Sequence, residues 1–535
     1  MHKPLIQVIE YHDRTKHHFQ RYAAGPSGLD WTTQPEPFRS YAGSAQLPLP
    51  LLSEGVLPAH YAALYQPGAI MSQPLALRSI AALLELAFGL SAWKQYGDNR
   101  WALRCNPSSG NLHPTEAYVV AQGCAGLPDG VHHYLSREHV LEQRCNFAAG
   151  EPLLAQSGFL LGLSSIHWRE AWKYGERAYR YCQHDVGHAI AAAGYAAAAL
   201  GWHARVLSDW SDAAIAALLG LNRAPDFVDA EREHPDVLLL ISARALSEAP
   251  VPTPLPAATH WHGQANRLSP HHAHDWPVIE EVAHLCAKPE THAALWQAPR
   301  LPAPLPSTCQ AHASQIIKQR RSAQEFDGVT RMSADTFYRM LDMTLPRADL
   351  APWDSIRWSP HIHLALFVHR VEGLAPGVYL LLRNDYIEPK MRSALSAEFE
   401  WVRAENCPAH LQLYRVLAAD ARNAAKALSC HQDIAADGVF SLGMLAEFED
   451  NLNDTPWRYR QLFWEAGILG QVLYLEAEAA GMRGTGIGCF FDDGVHDVLG
   501  IKGHWLQSLY HFTVGGARAD TRLQTLPPYA HLQRV

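Results

Sequence analysis

The chain has 535 residues, of which 48% are hydrophobic and 18% charged, enough to bury large cores in about three or four domain-sized units at most. Its 44 basic and 53 acidic residues give a net charge of −9, without a basic run, which argues against nucleic acid or an anionic membrane as partner. Nine cysteines, at positions 105, 124, 145, 182, 286, 309, 407, 430 and 489, form no CxxC pair, no apolar span reaches membrane length, and the first residues carry no apolar leader; the reading is a cytoplasmic protein.

Leu75–Ser91 carries a continuous apolar stripe (Leu77, Ile80, Leu83, Leu84, Leu86, Ala87) and is predicted to be a helix. Arg104-Cys-Asn-Pro-Ser-Ser-Gly-Asn-Leu-His-Pro-Thr-Glu116 follows, a run of small turn formers ahead of the apolar strand Ala117–Val120. Pro107 and Pro114 stiffen it, Gly110 permits close approach, and Ser108, Ser109 and Asn111 bring short hydrogen-bonding groups. Such a turn suits a backbone wrapped around a flat ligand; it is equally an ordinary turn between helix and strand. Asp185–Leu200 is predicted as a long buried helix and Val237–Arg244 as a strand.

A Pro/Ala/His-rich stretch from Glu248 to Pro306, containing Val251-Pro-Thr-Pro-Leu-Pro and Leu301-Pro-Ala-Pro-Leu-Pro, reads as extended, weakly packed linker with one short helix over Val278–Lys288. Its histidines (His260, His262, His271, His272, His274) read as solvated loop residues, with no carboxylate or cysteine to complete a metal site. Beyond it, Ile316-Ile-Lys-Gln-Arg-Arg-Ser322 follows a helical pattern and ends in Arg320, Arg321 and Ser322. That cluster is either a phosphate clamp or a solvated basic helix end. Gly467–Ala480 is predicted as a second buried helix, and Gly484-Thr-Gly-Ile-Gly488 as a loop offering backbone amides from Gly486, Ile487 and Gly488. Its spacing is not that of a dinucleotide fingerprint. A strand from Tyr510 ends in Arg518, a second candidate phosphate ligand or a surface ion pair. Helices dominate, and each half reads as an α+β sandwich around a small sheet.

The two halves align. Tyr179-Arg-Tyr-Cys-Gln-His-Asp-Val-Gly187 corresponds to Tyr459-Arg-Gln-Leu-Phe-Trp-Glu-Ala-Gly467, Gly126-Leu-Pro-Asp-Gly-Val131 to Gly373-Leu-Ala-Pro-Gly-Val378, Leu219-Gly-Leu221 to Leu499-Gly-Ile501, and Gly201 to Gly481. A tandem duplication accounts for this most simply. It divides the chain into an N-terminal extension (1–70), a first domain (71–247), the linker (248–307) and a second domain (308–535).

Arg-Arg-Ser near a domain start, the Pro-Ser-Ser-Gly-Asn turn, a long helix, Thr-Gly-Ile-Gly and a terminal strand ending in Arg together resemble the FMN-dependent nitroreductase superfamily. The first half is similar to its SagB-like, thiazole/oxazole dehydrogenase branch, through Tyr11-His-Asp-Arg-Thr-Lys16, Leu29-Asp-Trp31, Pro37-Phe-Arg-Ser-Tyr41, PSSGNLHPTE, Trp172–Tyr181 and Asp185-Val-Gly-His188. The resemblance implies two tandem nitroreductase-like α/β sandwich domains, each an antiparallel-rich sheet flanked by helices, paired as an intramolecular pseudo-dimer. It implies FMN at their interface, with Arg320, Arg321, Ser322 and Arg518 toward the phosphate and Pro107, Ser108, Ser109, Asn111 and Gly486–Gly488 around the ring. The second half has only Ile356-Arg-Trp-Ser-Pro-His-Ile-His363 where the PSSGN turn should stand. The first half has no double Arg before Leu75 and no Gly-rich segment at His203–Ser208. One complete site and one decayed sister are therefore expected, a degenerate second flavin site around Arg244 being less favoured.

Lys173 and Tyr174 match the Lys-Tyr pair of the azoline-dehydrogenase branch, where a base removes a carbon-bound proton while FMN takes hydride; on their own, these residues equally describe a solvated helix face. The implied activity is oxidation of a C–N or C–C bond in a peptide or amino-acid-derived substrate. The alternatives are an NAD(P)H-dependent nitroreductase or quinone reductase, and a non-catalytic flavin-binding protein. Further oligomerisation is left open.

Overall fold

A computed structural model describes residues 3–53, 55–148, 158–246, 258–292 and 296–532. Two large antiparallel sheets organise it. The first has eight strands, running in space Ala258–Trp261, Val140–Phe147, Gly130–Leu135, Thr115–Ala121, Gly158–Ser165, His234–Ser242 and His203–Val206, with Ala45–Pro48 also on Val140–Phe147. The second has seven, in the order Val402–Arg403, Gln412–Ala418, Gly377–Leu382, Ile362–Val368, Phe440–Glu447, Leu506–Gly515 and Arg483–Ile487. Apart from the outermost strands, the two sheets share one strand order.

The sheets are thus larger than the small ones expected, although helical residues still outnumber strand residues among the described residues. Polar residues inside strands hid the alternation. His133, fully buried, donates to Glu142 and to Glu116 at 3.0 Å each, and Glu116 also pairs with Arg169. Buried polar groups satisfied across neighbouring strands leave no apolar signal in sequence.

Two long helices fill the space between the sheets: α1 (Ala178–Ala199) and α2 (Arg458–Ala479), both buried over nearly their whole circumference, as befits helices without a solvent face. They begin seven and nine residues before the predicted starts, because the charges in their first turns are paired rather than solvated. Arg180 meets Asp492 at 2.8 Å and Arg460 meets Asp212 at 2.9 Å. The helices cross backbone to backbone. A Cβ on Gly187 would strike the Trp464 carbonyl, and one on Gly467 would strike the His184 carbonyl. Those reciprocal contacts are the pattern of an isologous, two-fold interface.

Each terminus reaches the opposite half. Lys16 pairs with Asp493 at 3.0 Å, and the Asp492 carboxylate accepts from the His17 backbone and from Arg177 and Arg180. Gln524–Leu526 pairs with Leu90–Tyr96 of a first-half hairpin, and the Tyr529 hydroxyl accepts from the Leu90 N–H. The expected weakly packed linker is corrected from residue 258 onward. Gln264–Ala265 pairs with Tyr41–Ala42, a helix spans Pro277–Leu285, and Glu231 accepts from the Leu268 and Ser269 amides and from His272, which stacks on Trp168 at 3.7 Å. The Val251–Pro256 run lies outside the described residues. Among the described residues no helix is long and apolar enough to cross a membrane.

Candidate active site

A cavity of about 770 Å³ opens between the two halves. Its first-half wall is the Asn106–His113 turn, where Gly110, Asn111 and His113 take φ of 58°, 61° and 53°. Three left-handed residues in so short a span are costly unless side chains fix them. Here the side chains do so: the Ser109 N–H and hydroxyl donate to Asp185 Oδ1 at 3.1 and 3.3 Å, the His113 N–H donates to Ser108 Oγ, and Asn111 bridges the Ala102 carbonyl and His113. The Ser108, Ser109 and Asn111 side chains therefore brace the turn that presents Pro107 and its neighbours to the cavity.

The opposite wall is cationic. Arg320 is buried, donates from Nε and Nη2 to the Cys105 and Arg104 carbonyls at 3.1 Å each, and leaves Nη1 without a partner. Arg321 donates to the Lys318, Arg320 and Ser91 carbonyls. Burial, then the neighbouring Arg320, pull the Arg321 guanidinium down to about 10, and burial lowers Arg320 as well. Neither forms an ion pair among the described residues. A buried and a half-buried cation without a carboxylate are costly to desolvate, and their donor set suits an anion with several oxygens, such as a phosphate. The Ser322 hydroxyl sits 2.8 Å from that of Tyr474.

The segment expected as a Gly-rich loop is the edge strand Arg483–Ile487, in register with Leu506–Gly515. Its glycines answer to packing: a Cβ on Gly486 would overlap the Tyr510 hydroxyl and one on Gly488 the Tyr181 ring. Gly486, Ile487 and Gly488 line the cavity, but the Gly486 N–H is already donated to Tyr474 Oη at 2.9 Å. Arg518 stands at the mouth, 2.7 Å from Glu325, both side chains more than half exposed.

Lys173 and Tyr174 end the helix His167–Tyr174 beside the turn. A Cβ on Gly110 would come within 2.5 Å of the Tyr174 hydroxyl and 3.2 Å of Lys173 Nζ, so both polar ends lie over that glycine. Tyr174 lines the cavity and Lys173 is half-buried. Behind them Glu170 is buried with neither oxygen bonded, and burial followed by Asp185 raises its pKa well above the carboxylate range. Burial also pushes Asp185 up to about 7. Arg180 is the buried ion pair already described. His188 is buried between Gln471 and Tyr510 and held neutral, drawn down to about 3 by burial.

Sequence reasoning assigned no role to Asp185, Tyr474, Lys94 or Arg483, all in the cavity wall. Asp185 had a local signal, its place in the Asp-Val-Gly-His run. Tyr474 and Lys94 had none, being brought in by the second central helix and the first-half hairpin.

A smaller cavity, about 270 Å³, is lined by Val206–Ser208, Arg357–Ser359, Arg458 and Trp464. Val206–Ser208 and Arg357–Ser359 are the segments that the alignment of the halves sets opposite Gly486–Gly488 and the PSSGN turn. Trp210, Trp296, Trp358 and Trp457 crowd it. Arg244 is exposed and lies outside its lining.

A family model described as the nitroreductase family matches residues 71–230. A candidate nitroreductase of Methanocaldococcus jannaschii is 28% identical over 126 residues, which are 22% of this chain and 60% of that protein; the chain thus matches about three fifths of that relative's length. A crystal structure of a candidate nitroreductase from Anabaena variabilis superposes with a TM-score of 0.69 at 21% identity, over 96% of this chain and 99% of that one. The two-sheet fold is therefore shared across nearly the whole chain.

Proposed function

We propose that the chain is an FMN-dependent oxidoreductase whose two tandem nitroreductase-like domains (71–247 and 308–535) arose by duplication and pair as an intramolecular pseudo-dimer around one FMN site. The observation that carries this reading is the pair of carboxylate-free guanidiniums, buried Arg320 and half-buried Arg321, from one half facing the braced turn of the other across a 770 Å³ cavity. The common strand order and the reciprocal helix crossing support the duplication.

Arg320, Arg321 and Ser322 hold the phosphate, with Arg518 at the mouth; Pro107–Asn111 and Gly486–Gly488 embrace the ring. Bound FMN supplies a two-electron, hydride-accepting centre. In the SagB-like dehydrogenase reading, Lys173 Nζ takes the proton from a substrate carbon, while the adjacent Tyr174 hydroxyl orients the substrate over Gly110. The half-buried amine has the buried carboxyls of Glu170 and Asp185 behind it. A second reading, reduction of nitro compounds or quinones with NAD(P)H, is favoured by Lys94 and Arg483 in the wall, cations suited to a dinucleotide donor.

Anaerobic mixing separates the two. A flavin unbleached by NADH or NADPH yet rapidly reoxidised by oxygen after photoreduction supports the dehydrogenase; bleaching within the mixing time supports the reductase. A purified protein that neither retains nor takes up FMN contradicts both.

A further inference from the structure

Cys489 directly follows Gly488 and lines the large cavity, partly exposed. Its segment is laced to the turn that carries Cys430: the Phe491 N–H donates to the Leu428 carbonyl at 2.8 Å, and Gln432 Nε2 donates to the Cys489 carbonyl at 3.2 Å. These bonds bracket Cys430 on both sides and bring its turn alongside Cys489. The turn is strained, with Cys430 and His431 at φ of 52° and 60°. Consecutive left-handed non-glycine residues persist only where the surroundings impose them, and they cluster at functional sites. The Cys489 side of the contact is fixed too, since the Gly488 carbonyl accepts from Tyr181 and Arg177, and Phe490 stacks on His511 at 4.3 Å.

A histidine completes the group. His17 is buried, and its Nδ1 accepts from the Ala23 N–H at 2.9 Å, so the ring proton sits on Nε2, available to the neighbouring Cys489 sulfur. The Cys430 thiol, then His17 and Arg177, draw Cys489 well below the ordinary thiol range against the opposing effect of burial, while Cys430 is raised. A low-pKa thiolate beside a protonated partner thiol is the arrangement of exchange-active cysteines. Five of the remaining cysteines are buried.

We propose that Cys489 and Cys430 form a thiol–disulfide exchange centre in the cavity wall, reducing small-molecule disulfides that enter through the cavity. The Cys489 thiolate attacks one sulfur of the substrate; that S–S bond breaks and one thiolate leaves. Cys430 then attacks Cys489 in the mixed disulfide, and the proton it gives up departs on the second product thiol. The pair loses two electrons as its own S–S bond forms, and the substrate gains them. This centre stands whether or not flavin occupies the cavity.

The test uses the full-length reduced protein and glutathione disulfide as probe, read by maleimide mass tagging and peptide mapping, with no flavin signal involved. The wild type should form a Cys430–Cys489 disulfide, Cys430→Ser should accumulate one glutathione on Cys489, and Cys489→Ser should form neither. In the unsubstituted protein, iodoacetamide should modify Cys489 at pH 6 at least tenfold faster than Cys309 or Cys407. An ordinary thiol pH profile for Cys489, or no Cys430–Cys489 disulfide at any glutathione ratio, would overturn the proposal.

Discussion

Arg321 is held only by backbone carbonyls, so its charge is free for a ligand anion. Arg321→Ala removes a charge-assisted contact worth about 1.5–3 kcal/mol and should weaken FMN retention more than tenfold, read as flavin content after desalting; unchanged content would remove Arg321 from the phosphate site. Lys173→Ala should leave the flavin spectrum intact while dehydrogenase turnover is lost, and unaltered turnover would return Lys173 to an ordinary surface lysine. Asp185 makes a pH-dependent case. Its folded pKa, about 7 because of burial, lies above its unfolded value of about 3.9. Its contribution is therefore fully present below about pH 4 and lost as the pH rises through 7, on the order of 4 kcal/mol in all. Denaturant titrations should show wild type losing stability relative to Asp185→Asn across that window, and parallel pH profiles would show that Asp185 is not desolvated in the fold. Arg320, Arg321 and the PSSGN turn were legible because each is a local run of distinctive chemistry. Tyr474, Lys94 and Arg483 were not, since only long-range packing brings them to the cavity.

The two central helices approach so closely that glycine is required where they cross. Alanine at Gly187 gains about 1 kcal/mol of helix propensity but forces a methyl onto the Trp464 carbonyl, where overpacking costs about 1–3 kcal/mol and displaces backbone. The steric cost wins: Gly187→Ala should lower the unfolding midpoint and reduce flavin retention together, while raised stability would mean the helices can part freely. The aligned glycines were visible in the repeat, although their role as mutual contacts was not. The helix starts were misplaced because the charged first turns interrupt the apolar pattern, whereas Asp492 and Asp212, distant in sequence, neutralise Arg180 and Arg460 in the interior. The Gly484–Gly488 segment read as a loop because glycine is poor in strands; the aromatic rings of Tyr510 and Tyr181, pressed against it, make glycine necessary in an edge strand.

Across the whole molecule, the halves exchange their ends. The N-terminal segment packs on Asp492 and Asp493, and the C-terminal strand joins the first-half hairpin, so neither half closes its surface alone. Such exchanges leave no periodic or compositional mark, which is why the sequence suggested a detached extension and a loose linker. The asymmetry between the cavities was legible, because it rests on motifs present in one half and missing from the other. One opening of about 770 Å³ carries the braced turn and the bare guanidiniums, and its counterpart of about 270 Å³ is crowded by tryptophans. Native mass spectrometry of the intact chain reconstituted with excess FMN and then desalted counts what that asymmetry allows. One flavin per 535-residue chain, lost in Arg321→Ala, is the expected result; no flavin, or two per chain, would contradict a single site shared between the halves.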